Sequence, residues 1–567
     1  MATRRKQASS QSNIPALDGA LRRTFGLDEL RPGQAEVIRS VLDRQDTLAI
    51  MPTGAGKSLC YQLPALHLTG VTVIVSPLIS LMKDQADKLQ ELGLDALQVN
   101  STVGRKTEAD AMEQIEREES DFVFTTPERL TDRAFLDTLR EATIDFVVID
   151  EAHCISQWGH DFRPSYLALR SAIAELGNPP ILALTATATS EVVEDIKRQL
   201  GRPEMRVFDA GIYRPNLKFE VEHVSGDAEK QAELLRLIED IEGTGIIYTA
   251  TVKHVEEVTR FLQNEGFEVL GYHGRLAARR RKDAQERFMA GGLKAMVATN
   301  AFGLGIDKAD IRFVIHYDLP GSLEAYYQEA GRAGRDGESA RCILLYDAKD
   351  RRTQLFLMGG RYPSAQELAT VYHALEDLGA RQHPVAIPDV GSKAGSVAKT
   401  KVRVALTHLK EARVVRERRA GIVLVGQSLS TDELTELAEE WRQRAESDRH
   451  KLERMESYAR SALCRWRVLR EYFGEEKNEA RCGECDNCRR GLAEQAERPV
   501  LRLEPETAEE NVADSENDFA IGDRVTLPKY GSGKIQALDG DALVVGFPDG
   551  RSRKFKREFA RPVPQKR

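Results

Sequence analysis

Between residues 35 and 200, short apolar runs alternate with longer stretches whose apolar positions recur at helical spacing. The runs at 47–51, 71–76, 122–125, 146–149 and 181–184 carry few of the alternating polar residues of a half-exposed strand. They are therefore predicted to be strands covered on both faces, as in a parallel sheet flanked by helices. The alternation restarts after Asn216, with strands predicted at 245–248, 268–271, 295–298, 313–316 and 342–345. The predicted fold class is α/β, with two parallel-sheet lobes in series.

From 364 the pattern changes. Helices are predicted at 367–377 and 400–412, followed by two β-prone runs within 414–425 around Arg-Arg-Ala-Gly, which read as a hairpin. Helices followed by a hairpin suggest a winged helix, and a helical bundle with a surface hairpin fits equally well. A long charged helix is predicted over 431–464. Residues 492–518 hold nine acidic and two basic side chains, a net of −7, and read as a disordered linker. The segment 519–562, with its Gly turns, is predicted to be a small barrel of about five strands. These shifts divide the chain into a tail (1–15), two lobes (16–215 and 216–360), an accessory segment (361–435), a cysteine module (436–490), the linker (491–518) and the barrel (519–564).

Composition changes this picture little. The chain of 567 residues is too long for one core, and 41% hydrophobic with 30% charged residues is ordinary for a soluble protein. The formal charge of −8 argues against binding polyanions through bulk charge, but a basic footprint can be local. No apolar run reaches the length of a membrane span, and the basic start lacks an apolar segment after it, so a cytoplasmic protein is expected. Of seven cysteines, Cys60, Cys154 and Cys342 are isolated and read as buried thiols. Cys464, Cys482, Cys485 and Cys488 offer the four thiolates of a structural Zn²⁺ site, with Cys464 expected on a helix over 462–471. Free thiols or a redox pair are the alternative.

The candidate chemistry lies at strand ends. Met-Pro-Thr-Gly-Ala-Gly-Lys-Ser, residues 51–58, follows a predicted strand and opens a helix. Its amides, with Thr53, Gly54 and Gly56, would cradle phosphates, Lys57 would reach the β/γ oxygens, and Ser58 would ligate Mg²⁺. Met51 stands where the strict pattern has its first glycine. Asp150 and Glu151 end another predicted strand, one to hold the metal and the other to orient and deprotonate water; a solvated loop is the bland reading of such a pair. Arg332 and Arg335, in 328–335 with Gln328, suit the charge on a transferring γ-phosphoryl group, or else a plain basic helix face. Immediately behind Glu151, Trp158, Phe162, Arg163 and Tyr166 combine stacking and charge as single-strand binding requires. Hydrolysis and nucleic-acid grip are thus separated by one loop, which suggests a motor.

The segments 30–34, 51–58, 76–85, 125–130, 150–153, 183–188, 297–307 and 328–335 stand in the order of superfamily 2 helicase motifs. The version with Cys-Ile-Ser-Gln-Trp-Gly-His-Asp-Phe-Arg-Pro-Ser-Tyr after the Asp-Glu-Ala-His resembles the RecQ DNA helicases over roughly 20–350, and the cysteine cluster resembles their zinc subdomain. The resemblance implies two RecA-like lobes, ATP and Mg²⁺ as cofactors, Zn²⁺ in the cysteine site, and 3′→5′ unwinding in repair or recombination. Single-stranded and tailed or forked duplex DNA would be its partners. It further implies that Arg31 and Gln34 read adenine, that His153 relays between nucleotide and DNA, and that Gln157, Trp158, Phe162 and Arg163 couple strand binding to hydrolysis. Thr185 and Thr187 would link the lobes. Leu27 stands where the family often has an aromatic residue, and 272–276 departs from its usual Tyr-His-Ala-Gly-Leu. The accessory segment precedes the zinc module, whereas the family commonly puts a winged helix after it. Residues 521–550 are similar to the Tudor-like tail of UvrD/PcrA-type helicases, which implies a docking module. Arg551, Arg553, Lys554, Lys556 and Arg557 form its basic cluster. A switch protein with a degenerate ATPase, an RNA helicase and a translocase that does not unwind are the rival functions.

Overall fold

The computed structural model describes residues 14–156, 158–159, 162–303, 306–360, 362–418, 420–475 and 481–497, and, in a second unit, 520–527, 531–539, 542–547, 552–556 and 561–562. The expected tail up to residue 13 and most of the expected linker lie outside these residues.

The apolar runs form strands because both of their faces find helices to cover them. In the first lobe, β1 (Thr47–Ile50), β2 (Val71–Val75), β3 (Ala96–Val99), β4 (Phe122–Thr125), β5 (Ile144–Ile149), β6 (Ile181–Thr185) and β7 (Arg206–Asp209) make a parallel sheet in the order β3-β4-β2-β5-β6-β1-β7. Every residue of β1, β2, β4 and β6 is buried. Edge strands β3 and β7 are absent from the sequence reading; β3 is half-buried at Leu97 and Gln98, and β7 is exposed over most of its length.

The second lobe repeats the plan with β8 (Leu217–His223), β9 (Thr244–Tyr248), β10 (Val269–Tyr272), β11 (Ala295–Ala298), β12 (Ile311–His316) and β13 (Ala340–Tyr346), ordered β10-β11-β9-β12-β13-β8 and parallel throughout. In each lobe the loops after the strands gather at the carboxyl edge of the sheet, where α/β folds place their ligands.

Helices Ala365–Asp377, Ile387–Lys393 and Lys399–Glu411 precede β14 (Val415–Arg418) and β15 (Gly421–Leu424), an antiparallel hairpin. Val385 bridges antiparallel to Ile422, adding a third extended segment. The three helices, the bridge and the hairpin share a core of their own around Leu368, Val371, Leu409 and Ile422.

The long helix runs over Thr431–Arg460, not to 464, and a capping box at Ser430 and Glu433 fixes its start. Its first half packs into the accessory core through Trp441, so the expected boundary at 435/436 falls inside one helix. Cys464 is the N-cap of the helix Arg465–Tyr472 and not a member of it. A short helix, Leu492–Glu497, forms within the stretch read as linker, with Ala493 buried.

The second unit contains β16 (Arg524–Leu527), β17 (Gly531–Asp539), β18 (Ala542–Gly546), β19 (Ser552–Lys556) and β20 (Arg561–Pro562), an antiparallel sheet in the order β19-β18-β17-β16-β20. Val525, Leu527, Ile535, Leu543, Val545 and Phe547 form its core. Arg553 lies over the Phe547 ring at 5.4 Å and Lys554 is exposed, while Arg551 and Arg557 lie outside the described residues. Among the described residues, no helix is long and apolar enough to cross a membrane.

Candidate active site

Strands β5, β6 and β1 are neighbours, so the segments leaving their ends, at 150–153, 185–187 and 51–58, meet at one place. A cleft of about 590 Å³ opens there against the second lobe. Arg31, Gln34, Thr53, Gly54, Gly56, Lys57, Ser58, Asp150 and Glu151 line it from the first lobe, and Gln328, Arg332 and Arg335 from the second. Leu27 and Phe25 also line it, so an aromatic ring two residues earlier accompanies the leucine.

The phosphate loop folds by left-handed glycines. Gly54 and Gly56 have φ of 86° and 78°, and a Cβ on Gly56 would stand 2.6 Å from Gln34 Nε2. Gln34 is buried and donates to the carbonyls of Ala55 at 3.0 Å and Gly56 at 2.9 Å, while its Oε1 accepts from the Arg31 amide at 2.8 Å. Arg31 itself donates to the Gly54 carbonyl. The predicted adenine readers therefore brace the loop in this structure. Lys57 Nζ donates to the Met51 carbonyl at 3.1 Å, which gives the residue at the missing-glycine position a backbone role. Burial lowers the Lys57 pKa, opposed by the charges of Glu151 and Asp150.

Asp150 is half-buried at the cleft wall. Desolvation, then the neighbouring Glu151, pushes its carboxyl up to about 7, although Ser76 Oγ donates to it at 3.4 Å and the Glu151 amide at 3.0 Å. Glu151 adopts φ 49°, a left-handed conformation that costs a non-glycine residue about 1 kcal/mol. Its buried Oε2 has no hydrogen-bond partner and lies 3.4 Å from His153 Nδ1. That imidazole nitrogen is 3.0 Å from Thr185 Oγ1, which donates to the Thr187 carbonyl at 3.0 Å. Two crowded carboxylates, one raised and one with an orphaned oxygen, beside Lys57 and Ser58, suit a divalent cation carrying phosphates.

Several residues that sequence reasoning left without a role complete the cleft. Arg214, in the connection between the lobes, donates to the carbonyls of Gly331 (2.7 Å), Ala333 (2.8 Å) and Gly334 (2.6 Å), and to Thr53 at 3.3 Å. It ties the phosphate loop to the arginine turn. Gln85 bridges Tyr61 and Ser58 through contacts of 2.7 and 3.3 Å. Arg335 Nη1 is 2.6 Å from Asp307 Oδ1. Arg332 and Arg335 sit in a turn after the helix Leu323–Ala330, not on a basic helix face. Only the 297–307 and 76–85 segments hinted at Asp307 and Gln85; Arg214 left no signal.

A second cavity of about 420 Å³ lies behind the first, lined by Pro77, His153, Arg163, His316 and Lys451 among others. Glu151, Gln328 and Arg332 line both cavities, so one wall separates the two sites. Trp158 is 39% exposed, so its ring is not part of the core. Phe162 is half-buried with the Arg444 guanidinium 4.6 Å from its centroid, and Arg163 donates to the Pro77 carbonyl at 3.2 Å. Tyr166 donates to the Asp150 carbonyl at 3.2 Å, anchoring this loop to β5. Gln157 lies outside the described residues.

The sulfurs of Cys464, Cys482, Cys485 and Cys488 lie within 4.8 Å of one another, and those of Cys482 and Cys488 are 3.9 Å apart. Tetrahedral zinc with bonds of about 2.3 Å needs sulfurs about 3.8 Å apart, so the set fits. Amides of Cys482, Cys485 and Arg465 point at the sulfurs of Cys464, Cys482 and Cys485 at 3.4, 3.3 and 3.5 Å. Hydrogen bonds from Cys482 and Cys485 hold the Cys464 thiol far below its ordinary pKa, and the same contacts push Cys485 up. Arg465 anchors the module by a bidentate buried pair with Asp486 at 2.9 Å, and Trp466 Nε1 donates to the Leu217 carbonyl at 3.2 Å.

Residues 31–196 match the DEAD/DEAH box helicase family, 229–337 the helicase conserved C-terminal domain and 427–489 the RecQ zinc-binding family. The chain is similar to the ATP-dependent DNA helicase RecQ of Bacillus subtilis, 46% identical over 336 residues that cover 59% of this chain and 56% of that protein. It is also similar to the probable ATP-dependent DNA helicase RecS of the same organism, 41% identical over 362 residues, 64% of this chain and 73% of that protein. In fold it is like the DUF1998 helicase MrfA in a DNA-bound crystal structure, with a TM-score of 0.50 at 20% identity, covering 74% of this chain and 64% of that one. The chain thus spans little more than half the length of the first of these relatives.

Proposed function

The chain belongs to the RecQ family of superfamily 2 helicases, and from that premise we propose that it couples ATP hydrolysis to 3′→5′ movement along single-stranded DNA and to duplex unwinding. The observation that carries this reading is the shared wall: Glu151, Gln328 and Arg332 border both the nucleotide cleft and the cavity beside the aromatic loop. A change at one side is felt at the other through the same side chains.

In this reading the phosphate loop and Lys57 bind the β- and γ-phosphates, exchanging the carbonyl partner that Lys57 now holds. Ser58 and Asp150 would hold Mg²⁺, which when bound neutralises phosphate charge. Glu151 orients water and takes its proton. Arg332 and Arg335, from the opposite lobe, stabilise charge on the transferring group, so hydrolysis requires closed lobes. His153 carries the state of Glu151 to Thr185 and to the second cavity. There Trp158, Phe162 and Arg163 would stack bases and meet phosphates. Opening and closing of the cleft then ratchets the strand across both lobes. Zn²⁺ on the four cysteines would be structural, since the four thiolates leave no position for chemistry. The C-terminal sheet, with its basic strand β19, is proposed as a docking module for a protein partner.

Strand displacement on a 3′-tailed DNA duplex, wild type beside Glu151→Gln, tests the proposal. Unwinding by the wild type and none by the variant is expected. ATP hydrolysis on single strands without any unwinding would replace it with a translocase.

A further inference from the structure

The helix Thr431–Arg460 joins three bodies. Leu434 and Trp441 are buried in the core of the accessory segment, and Met455 and Tyr458 in the core of the second lobe. Between these anchors Arg444 and Lys451, two turns apart on one face, reach the first lobe. Lys451 Nζ donates to the carbonyls of Trp158 at 2.6 Å and Gly159 at 3.4 Å. Arg444 covers the Phe162 ring, 4.6 Å from its centroid. Lys451 also lines the second cavity.

The face of Phe162 that would receive a base is thus occupied by a planar cation, which stacks as a base does. The backbone beside Trp158 is fixed where the chain passes closest to His153: a Cβ on Gly159 would lie 2.3 Å from the His153 carbonyl oxygen. We propose that Arg444 and Lys451 are positioning residues that latch this loop in its strand-free arrangement, and that single-stranded DNA releases the latch. The strand takes the face of Phe162 and draws both cations to its phosphates. Release passes to the hydrolytic carboxylates over a short path, because His153 Nδ1 is 3.4 Å from Glu151 Oε2 and Tyr166 holds the Asp150 carbonyl. The latched loop keeps hydrolysis slow in the absence of DNA. The identity of the releasing ligand rests on the helicase reading; the latch itself does not.

Two measurements on the full chain test this. The first is amide hydrogen exchange over residues 154–166 without nucleotide or DNA, for wild type, Lys451→Ala, Arg444→Ala and Lys451→Arg. Both alanine variants should exchange faster, and Lys451→Arg, which keeps a donor for the two carbonyls, should match wild type. The second is ATPase activity with and without an oligothymidine strand. DNA-free turnover should rise roughly fivefold or more in the alanine variants, so that the stimulation by the strand shrinks. Unchanged exchange in both alanine variants would overturn the latch, and so would faster exchange without a rise in DNA-free turnover. A wild type whose ATPase ignores the strand sinks the helicase reading and DNA as the releasing ligand, whereas the exchange result judges the latch alone.

Discussion

Arg335 Nη1 lies 2.6 Å from Asp307 Oδ1, and the other oxygen of that carboxylate accepts Lys88 Nζ from the opposite lobe at 3.0 Å. Burial raises the Asp307 carboxyl, but the hydrogen bond from Lys88 and the charge of Arg335 outweigh it and hold it below its ordinary pKa. The arginine expected to meet the γ-phosphoryl group is therefore aimed by an ionised partner that also touches the first lobe. Removing the guanidinium should cost about 10³-fold in kcat, the scale of an arginine that stabilises phosphoryl transfer. The Lys88 pair is exposed and is worth about 1 kcal/mol or less, so Lys88→Ala should change kcat by less than about fivefold. Steady-state ATPase assays of Arg335→Ala and Lys88→Ala decide between them; equal losses would make the bridge, not the guanidinium, the essential part.

The zinc module gives a contrast of another kind. Purified protein should carry about one equivalent of zinc, and Cys485→Ser should lose it and lower the melting temperature by more than about 5 °C. Asp486→Ala should keep the zinc yet destabilise by about 3–5 kcal/mol, because it strands the buried Arg465 without its partner. Metal analysis alongside urea unfolding separates the two effects. Zinc loss in Asp486→Ala would show that the ion pair and the metal site are one cooperative unit.

What the sequence revealed and what it hid divide along physical lines. β2 and β5 were legible because Val-Thr-Val-Ile-Val and Phe-Val-Val-Ile are apolar on both faces, whereas β3 and β7 are edge strands with one neighbour and mixed polarity. β8 was missed because Leu-Lys-Phe-Glu-Val-Glu alternates, with Glu220 buried against Arg341 instead of solvated. Lys57, Asp150, Glu151 and the four cysteines were legible because their chemistry demands fixed local spacing. Arg214, Lys88 and Lys451 act across 117, 219 and 293 residues of chain, and their roles exist only once the lobes and the long helix are docked. The end of the long helix was overrun by four residues because Ser461, Ala462 and Leu463 carry no breaker; its actual stop is the extended Ser461 cap.

A buried charge network on the second lobe predicts a pH dependence. His254 Nδ1 is 2.7 Å from Asp318 Oδ2, whose other oxygen is 3.4 Å from Lys230 Nζ, itself paired with Asp350 at 2.7 Å. The hydrogen bond to Asp318 raises the His254 pKa, so its contribution is complete below about pH 6.5 and fades as pH rises through the raised folded value. Burial raises Asp318, but His254 and Lys230 outweigh it, so that share is lost only as pH falls through its lowered folded value. His254→Ala should therefore destabilise by about 1 kcal/mol near pH 5.5, after allowing for partial exposure, and by less near pH 9. Urea unfolding of both proteins at the two pH values checks this; a pH-independent difference would assign His254 a packing role only.

The hairpin β14–β15 carries the last prediction. Arg416 and Arg418 alternate with the exposed Glu417 on β14, so they project to one side, and Glu417 is tied to Lys410 at 2.7 Å. Lys399, Arg403 and Lys410 are exposed on the helix that lies on the other, Glu417 side of the strand, so the hairpin's own basic face is Arg416 and Arg418, in a chain that is acidic overall. A basic hairpin suits the phosphates of a duplex, while the stacking residues of the aromatic loop suit a single strand. If this face holds the duplex ahead of the lobes, replacing Arg416 and Arg418 together with Ala should lower strand displacement about tenfold and flatten its salt dependence. Single-strand-stimulated ATPase, which needs only the two lobes, should stay within about twofold. Parallel assays on a tailed duplex and on oligothymidine make the comparison. Equal losses in both would move the hairpin from duplex handling to support of the lobes through the helix Thr431–Arg460.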